Sequence, residues 1–232
     1  AARPGPPAQS PPARLVVGFS GGLDSTVLLQ LARQWRHHNS STLLLALHIN
    51  HQLHPHADDW QWQCAELCKH WQVPFVAQAV TIDRAQASLE QSARAARYAV
   101  FHQHCQPGDV LLLAHHRDDQ VETLLQRLLR GSGPLGLGGM GLFSQQQGLN
   151  ILRPLLDIDR ADLEQHASEH QLRWIDDPSN TANRFERNFL RHDVLPVLAA
   201  RFPAAGRNLA QAAGHFAEAD ALLGQLAAAD WQ

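Results

Sequence analysis

Short apolar blocks alternate with amphipathic stretches along most of this chain. Leu15-Val16-Val17-Gly18-Phe19 is an unbroken apolar run of the kind shown by a strand buried on both faces. Val27, Leu28, Leu31 and Trp35 then recur at helical spacing, which predicts an amphipathic helix directly after that strand. A second apolar run, Leu43 to Ile49, precedes a polar loop rich in histidine. A helix from about Asp58 to Trp71 leads to a third strand at Pro74-Phe75-Val76-Ala77. Glu90 to Cys105 reads as helix, Asp109-Val110-Leu111-Leu112-Leu113-Ala114 as a fourth strand, and Gln120 to Arg130 as helix again. Strands alternating with helices predict an α/β fold, a doubly wound parallel sheet with helices on both faces. Right-handed crossovers then place every strand's carboxyl end on one rim, where ligands sit in such folds.

The alternation breaks at Gly131-Ser132-Gly133-Pro134-Leu135-Gly136-Leu137-Gly138-Gly139, a turn-rich loop by composition. Another strand, Asn150-Ile151-Leu152, runs into Arg153-Pro154-Leu155, and Asp159 is placed to cap a helix that reaches His170. Trp174-Ile175-Asp176 is short and extended, followed by a turn at Asp177-Pro178-Ser179-Asn180. An arginine-rich stretch, Arg184 to Arg201, precedes an Ala/Leu helix from about Gly206 that still runs at Trp231-Gln232. The expected organisation is a flexible Pro/Ala-rich tail over 1–13 and a main domain over 14–205, with 177–205 as its arginine-rich end. The start of a small, mainly helical second domain follows over 206–232, cut from a longer chain.

At about 150 residues per domain, 232 residues allow one full core and an appendage. A chain 44% hydrophobic and 18% charged is globular rather than disordered. No apolar run approaches the roughly 18 residues of a membrane span, and the N-terminus lacks a secretory pattern. Three cysteines, Cys64, Cys68 and Cys105, are too few for a disulfide scaffold, so a cytoplasmic location is expected. Net charge is −3 with histidine neutral, which makes the whole molecule no electrostatic magnet for nucleic acid. The cationic charge is nearly all arginine, with Lys69 the only lysine. Arginine suits bidentate phosphate contact and base stacking, although GC-rich coding explains the same bias.

Ser20-Gly21-Gly22-Leu23-Asp24-Ser25 lies between a buried strand and a helix start. Glycines let backbone N–H groups close on an anion, and the helix dipole favours negative charge there. Serine hydroxyls add donors at both ends. Asp24 inside an anion cradle makes sense with a divalent cation between it and the phosphates. The hexapeptide is neither the Gly-Lys-Ser/Thr P-loop nor GxGxxG. A second block, Ala114-His115-His116-Arg117-Asp118-Asp119-Gln120-Val121-Glu122-Thr123, follows the fourth strand. Asp119 and Glu122 are three apart and share a helix face, where they suit an amine or a metal. An ordinary acid-rich helix N-terminus reads the same way.

The hexapeptide resembles the pyrophosphate loop of the N-type ATP pyrophosphatases, an adenine-nucleotide alpha-hydrolase-like (Rossmann-like) fold that splits ATP between its α- and β-phosphates. The second block, with Arg127-Leu128-Leu129-Arg130-Gly131-Ser132-Gly133 after it, resembles the tRNA(Ile)-lysidine synthetases of that superfamily. The likeness continues through Ser88-Leu89-Glu90, Ala93-Arg94, Arg97-Tyr98, Arg153-Pro154-Leu155, Asp176-Asp177-Pro178-Ser179-Asn180 and Arg187-Asn188-Phe189-Leu190-Arg191. It spans about Leu15 to Phe202, most of the chain.

The resemblance implies that ATP and Mg2+ adenylate the carbonyl oxygen at carbon 2 of the wobble cytidine in CAU-anticodon tRNA(Ile). Free L-lysine then displaces AMP to give lysidine, switching decoding from AUG to AUA. Ser20, Gly21, Gly22, Leu23, Asp24, Ser25, His48, Asn50, Ala114 and His115 would bind ATP, with Mg2+ on Asp24. Asp119 and Glu122 would hold the lysine ammonium and help take its proton, and His116 is either a relay or a structural histidine. Arg97, Arg130, Arg184, Arg187 and Arg191 would contact RNA or ATP phosphates, although each reads equally as a surface arginine. The Gly131–Gly139 loop would admit the base, close over the site, or simply connect. A homodimer stays open.

Two alternatives belong beside this one. A tRNA-cytidine thiolase of the same superfamily needs paired CxxC-type cysteines, whereas Cys64 and Cys68 are CxxxC and read as half-buried core. Leu23 also stands where those enzymes typically carry lysine. A non-catalytic ATP- or tRNA-binding module predicts a damaged loop, yet the loop and Asp24 are intact. His48, His51, His54 and His56 lack zinc-site spacing.

Overall fold

Leu15, Val16 and Val17 are all buried in β1 (Arg14–Gly18), as a strand covered on both faces requires. The computed structural model describes residues 12–82, 89–177 and 186–230, which divide into two units. The first unit runs to Ala114 and adds Phe143–Pro154 and Glu164–Asp176. The second comprises His115–Leu142, Leu155–Leu163 and the chain from Asp177 onward.

The first unit holds the sheet. After β1 come α1 (Leu23–His38), β2 (Leu43–Asn50), α2 (Ala57–His70), β3 (Phe75–Ala79), α3 (Leu89–His104) and β4 (Val110–Leu112). The hairpin β5 (Phe143–Gln146) and β6 (Leu149–Leu152) completes a sheet of order β3-β2-β1-β4-β6-β5. Every pairing is parallel except β5 with β6. This is the doubly wound parallel sheet expected from the alternation. Val16, Leu45, Leu47, Leu111 and Ile151 pack with Val100 and Phe101 of α3. The alternate residues Leu15, Val17, Leu44 and Ala46 are buried too, pointing to the other face.

Two sequence expectations need correction here. The buried apolar residues of α1 are Leu23, Val27, Leu28, Leu29 and Ala32, while Trp35 is 40% exposed. Strand β5 was not expected: Phe143-Ser144-Gln145-Gln146 is too polar to read as a strand. Its pairing partner β6 and the positive φ of Gln147 and Gly148 close it as an edge hairpin.

The second unit is helical. It contains α4 (Arg117–Leu129) and α5 (Pro134–Leu137), then α7 (Glu186–Phe189), a π-helical turn at Leu190–Val194, α8 (Leu195–Arg201) and α9 (Ala205–Asp230). Between these in sequence lies α6 (Arg160–Glu169), within which the division into units falls. Leu124 of α4, Leu137 of α5 and Ala213 of α9 form its small core. The glycine-rich loop is pinned to α4 rather than loose. Gln120 bonds both ends of Met140, accepting from its N–H at 2.7 Å and donating to its carbonyl at 2.9 Å. Arg127 donates to the carbonyls of Gly136 and Gly139. Among the described residues, no helix is long and apolar enough to cross a membrane.

One partly buried ion pair ties the amino end of β1 to the turn before β4. Arg14 reaches Asp109 Oδ2 through Nη2 at 2.5 Å and Nε at 3.1 Å, and Gln106 N–H donates to the same oxygen at 2.7 Å. Asp109→Ala strands the Arg14 guanidinium and is expected to cost about 2–3 kcal/mol in urea unfolding. Arg14→Met on that background is expected to restore part of the loss. Additive effects of the two changes would mean the pair contributes nothing.

Candidate functional site

The loop after β1 is built around a residue that has no side chain to place. Gly21 has φ +86°, and an alanine Cβ there would lie 2.5 Å from Cys64 Sγ and 2.6 Å from Ile175 Cδ1. Its carbonyl accepts the Ile175 N–H at 2.9 Å and the Thr26 hydroxyl at 3.3 Å. Ser20 and Ser25 hydroxyls stand 3.0 Å apart, and Ser25 also donates to the Gly22 carbonyl. The Gly22 N–H donates to Ser20 Oγ at 3.3 Å. Gly22 is the extended residue before α1, so the chain enters the helix with Leu23, Asp24 and Ser25 in its first turn. The helix's leading N–H groups and the two hydroxyls therefore gather where an anion is favoured. Behind the loop, Gly21, Trp62, Trp71, Trp174 and Ile175 line a cavity of about 660 Å³.

His48 and Asn50, expected at a nucleotide, end β2 with structural bonds already made. His48 is buried, and its Nδ1 donates to the Phe19 carbonyl at 2.9 Å; burial lowers its pKa against that bond. Asn50 donates to Asp58 and Gln61 and accepts the Gln52 N–H. His51 is pushed down to about 4 by burial, with Arg97 and His48 adding to it. Arg97 is half-buried on α3, within electrostatic range of His51. Cys64 and Cys68 are buried rather than half-buried, and burial pushes each thiol up to about 12.

In the second unit His116 caps α4. Its Nδ1 accepts the Asp118 N–H at 3.3 Å, and Asp119 Oδ2 accepts the His116 N–H at 3.0 Å, a reciprocal box. The buried His116 ring is thus given a capping task, and its Nε2 is 3.6 Å from Asp119 Oδ2. One turn on, Glu122 is fully buried. Arg191 Nε donates to Glu122 Oε1 at 2.7 Å, and its Nη2 to Asp119 Oδ1 at 3.4 Å. Arg187 Nη2 donates to Thr123 Oγ1 at 3.1 Å. The two carboxylates part ways electrostatically. Burial would raise Asp119, but His116, His115, the His116 N–H and Arg187 together bring it below the usual range. Burial raises Glu122, and Asp119 adds to it, against the pull of Arg191.

The structure therefore gathers Ser20, Gly21, Gly22 and Ser25 in the first unit. It gathers His116, Asp119, Glu122, Arg187 and Arg191 in the second. Ala114 and His115 are half-buried just beyond β4. Arg130 pairs with Glu186 on the surface. Arg184 lies outside the described residues, as do Ser88 and the Pro178-Ser179-Asn180 turn. Thr26, Cys64, Ile175 and Thr123 escaped the sequence reading. Their signals are weak: Thr26 directly follows the loop as one more helix residue, and Ile175 lies in a short extended segment.

Residues 6–198 match the profile of the PP-loop domain family. The tRNA(Ile)-lysidine synthase of Pseudomonas fluorescens (strain Pf0-1) is 47% identical over 214 residues, 92% of this chain and 48% of that protein. The tRNA(Ile)-lysidine synthase of Shigella flexneri is 45% identical over 217 residues, 94% of this chain and 50% of its own length. The chain thus spans about half the length of the curated relatives it matches. Among solved structures, a U34-tRNA thiolase from Methanococcus maripaludis with its [4Fe-4S] cluster superposes with a TM-score of 0.71. That match covers 88% of this chain and 72% of the other at 16% identity, a likeness of fold.

Gly21→Ala is expected to destabilise by about 2–4 kcal/mol, because strain at positive φ adds to overpacking. Cys64→Ala on that background should return part of the loss in chemical unfolding, whereas purely additive effects would refute the clash. Asp119, held below its usual value, contributes stability that is present above its unfolded pKa of about 3.9 and lost as pH falls. The stability gap between the parent protein and Asp119→Asn should therefore close as pH is taken below about 4. A gap constant from pH 7 to 3 would contradict it.

Proposed function

The chain belongs to the PP-loop domain family, and from that premise we propose that it carries a lysidine-forming activity. The reaction is the ATP-dependent joining of free L-lysine to carbon 2 of the wobble cytidine in CAU-anticodon tRNA(Ile), in the cytoplasm. The observation that carries this reading is the 45–47% identity, over more than nine-tenths of the chain, to proteins named for that reaction. The loop geometry and the acid pair give it a mechanism.

In the first step the cytidine carbonyl oxygen attacks the α-phosphorus of ATP, and pyrophosphate leaves. The amides and hydroxyls from Ser20 to Ser25 hold the departing charge, and such preorganised donors are worth several kcal/mol where water is excluded. His48 and Asn50, fixed at the end of β2, frame the nucleotide, and Ala114 and His115 follow β4 as further ATP contacts. Asp24, in the first turn of α1, would hold a magnesium ion. Its Oδ1 is shielded from solvent, and no group of three His, Cys, Asp or Glu among the described residues could cage a metal unaided. When bound, magnesium supplies positive charge against the triphosphate.

In the second step the lysine ε-nitrogen attacks carbon 2, and AMP leaves with the former carbonyl oxygen. The ammonium must first lose a proton. Asp119, kept ionised by its neighbours, holds the cation, while Glu122, raised by burial, is suited to accept the proton. Arg97, Arg130, Arg184 and Arg187 contribute cationic contacts to RNA.

A thiolation reading is disfavoured by the cysteines themselves. Cluster ligation in those enzymes takes paired CxxC-type cysteines, whereas Cys64 and Cys68 are spaced CxxxC on α2 and packed in the core of the first unit. A purely binding role is disfavoured by the intact loop.

The test is ATP–pyrophosphate exchange with CAU tRNA(Ile), followed by lysine incorporation. Asp119→Asn and Glu122→Gln are each expected to lower incorporation about 100-fold or more, with tRNA-dependent exchange kept within a few-fold. Exchange that lysine cannot consume would sink the lysidine reading. Absence of exchange with any tRNA would sink adenylation by this chain.

A further inference from the structure

The two carboxylates proposed to receive the lysine ammonium already hold a cation. Arg191 spans them, at 2.7 Å from Glu122 Oε1 and 3.4 Å from Asp119 Oδ1. Its guanidinium leaves the seat incompletely bonded, because Glu122 Oε2 is buried with no hydrogen-bond partner. A buried acceptor left without a donor is costly. An ammonium has three donors and a smaller, rounder shape than the planar fork, so it can reach both oxygens of Glu122 and one of Asp119.

Occupancy decides between addition and exchange. Asp119 and Glu122 face Arg191 and Arg187, and Asp118 also acts on Arg191. A further cation on Glu122 Oε1 and Asp119 Oδ1 would share those oxygens with the guanidinium already there, and two like charges repel at that separation. The cation that makes way is the one that sits on both carboxylates. Arg191 is also the residue best placed to move. It is the second residue of the π-helical turn Leu190–Val194, between α7 and α8. Such turns carry one residue more than an α-helix can bond and are frequent at functional sites. Relaxing the turn to α geometry re-aims the side chains within it.

We propose that Arg191 is a placeholder for the substrate cation: it fills the Asp119–Glu122 seat in the empty protein, and the ε-ammonium of lysine displaces it. Arg191 thereby sets the apparent affinity for lysine. This rests on the reading that lysine is the substrate of that seat.

The experiment compares Arg191→Ala and Arg191→Gln with the parent protein in steady-state lysine incorporation and in thermal unfolding. If the guanidinium fills the seat nine-tenths of the time, its removal lowers the lysine KM about tenfold. The KM for ATP should not move. Guanidinium chloride at millimolar concentration should inhibit both variants in competition with lysine, and raise the Tm of Arg191→Ala by refilling the seat. Arg191→Gln keeps the aliphatic stem through Cγ and an amide donor without the charge, so it decides the matter if the alanine variant fails to fold. A lysine KM that is unchanged or raised in the folded variants overturns the placeholder. Guanidinium that raises Tm where lysine neither binds nor is incorporated would keep the cation seat and remove lysine from it. Lysine incorporation with no guanidinium effect would do the reverse.

Discussion

The first unit depends on the carbonyl of Gly21. A loop that presents its amides to an anion must turn its carbonyls elsewhere, and each needs a partner. Gly21 solves this with φ +86°, which directs its oxygen to the Ile175 N–H and the Thr26 hydroxyl. The segment carrying Ile175 is otherwise irregular, and this bond gives it a register. Where a side chain would stand, Cys64 Sγ and Ile175 Cδ1 fill the space instead. The loop is therefore rigid before any ligand arrives, and a preorganised cradle spends little binding energy on ordering itself.

In the second unit the same economy appears as a split between two carboxylates on one helix face. Asp119 lies at the N-terminus of α4, bonded to the His116 N–H and near two histidine rings, so its charged form is favoured. Glu122 lies one turn deeper and is fully enclosed, so its charged form depends on Arg191. Environments that push paired acids apart divide cation holding from proton acceptance.

The periodicity of the chain was enough to read the sheet, because β1, β2 and β4 are buried on both faces and carry unbroken apolar runs. Edge strand β5 escaped, since its residues face water and only its pairing makes it a strand. The hexapeptide and the Asp119–Glu122 pair were legible because their chemistry follows from residue type and spacing. What Ile175, Cys64 and Thr26 do was not legible, as it depends on positions brought together by the fold. The Arg187–Arg191 stretch read as cationic surface, yet Arg191 turns inward. Its direction is set by a π turn, for which hydrophobic periodicity has no signature. His116 shows a different limit. A histidine beside two acids reads equally as a relay or as a structural residue, and the hydrogen bonds reveal the helix cap.

The choice of arginine at this seat follows from the chemistry proposed for it. A site that must activate an amine cannot hold its empty state together with another amine, because the same base would activate both. A guanidinium carries the needed charge, pairs with two carboxylates and does not deprotonate in proteins. Lys69, the single lysine of the chain, is exposed on α2 with Glu66 beside it. Arg191 thus balances the buried charge of Asp119 and Glu122 without offering a competing nucleophile, and its planar fork leaves Glu122 Oε2 unserved. That unserved oxygen is what allows a smaller cation with a third donor to take its place.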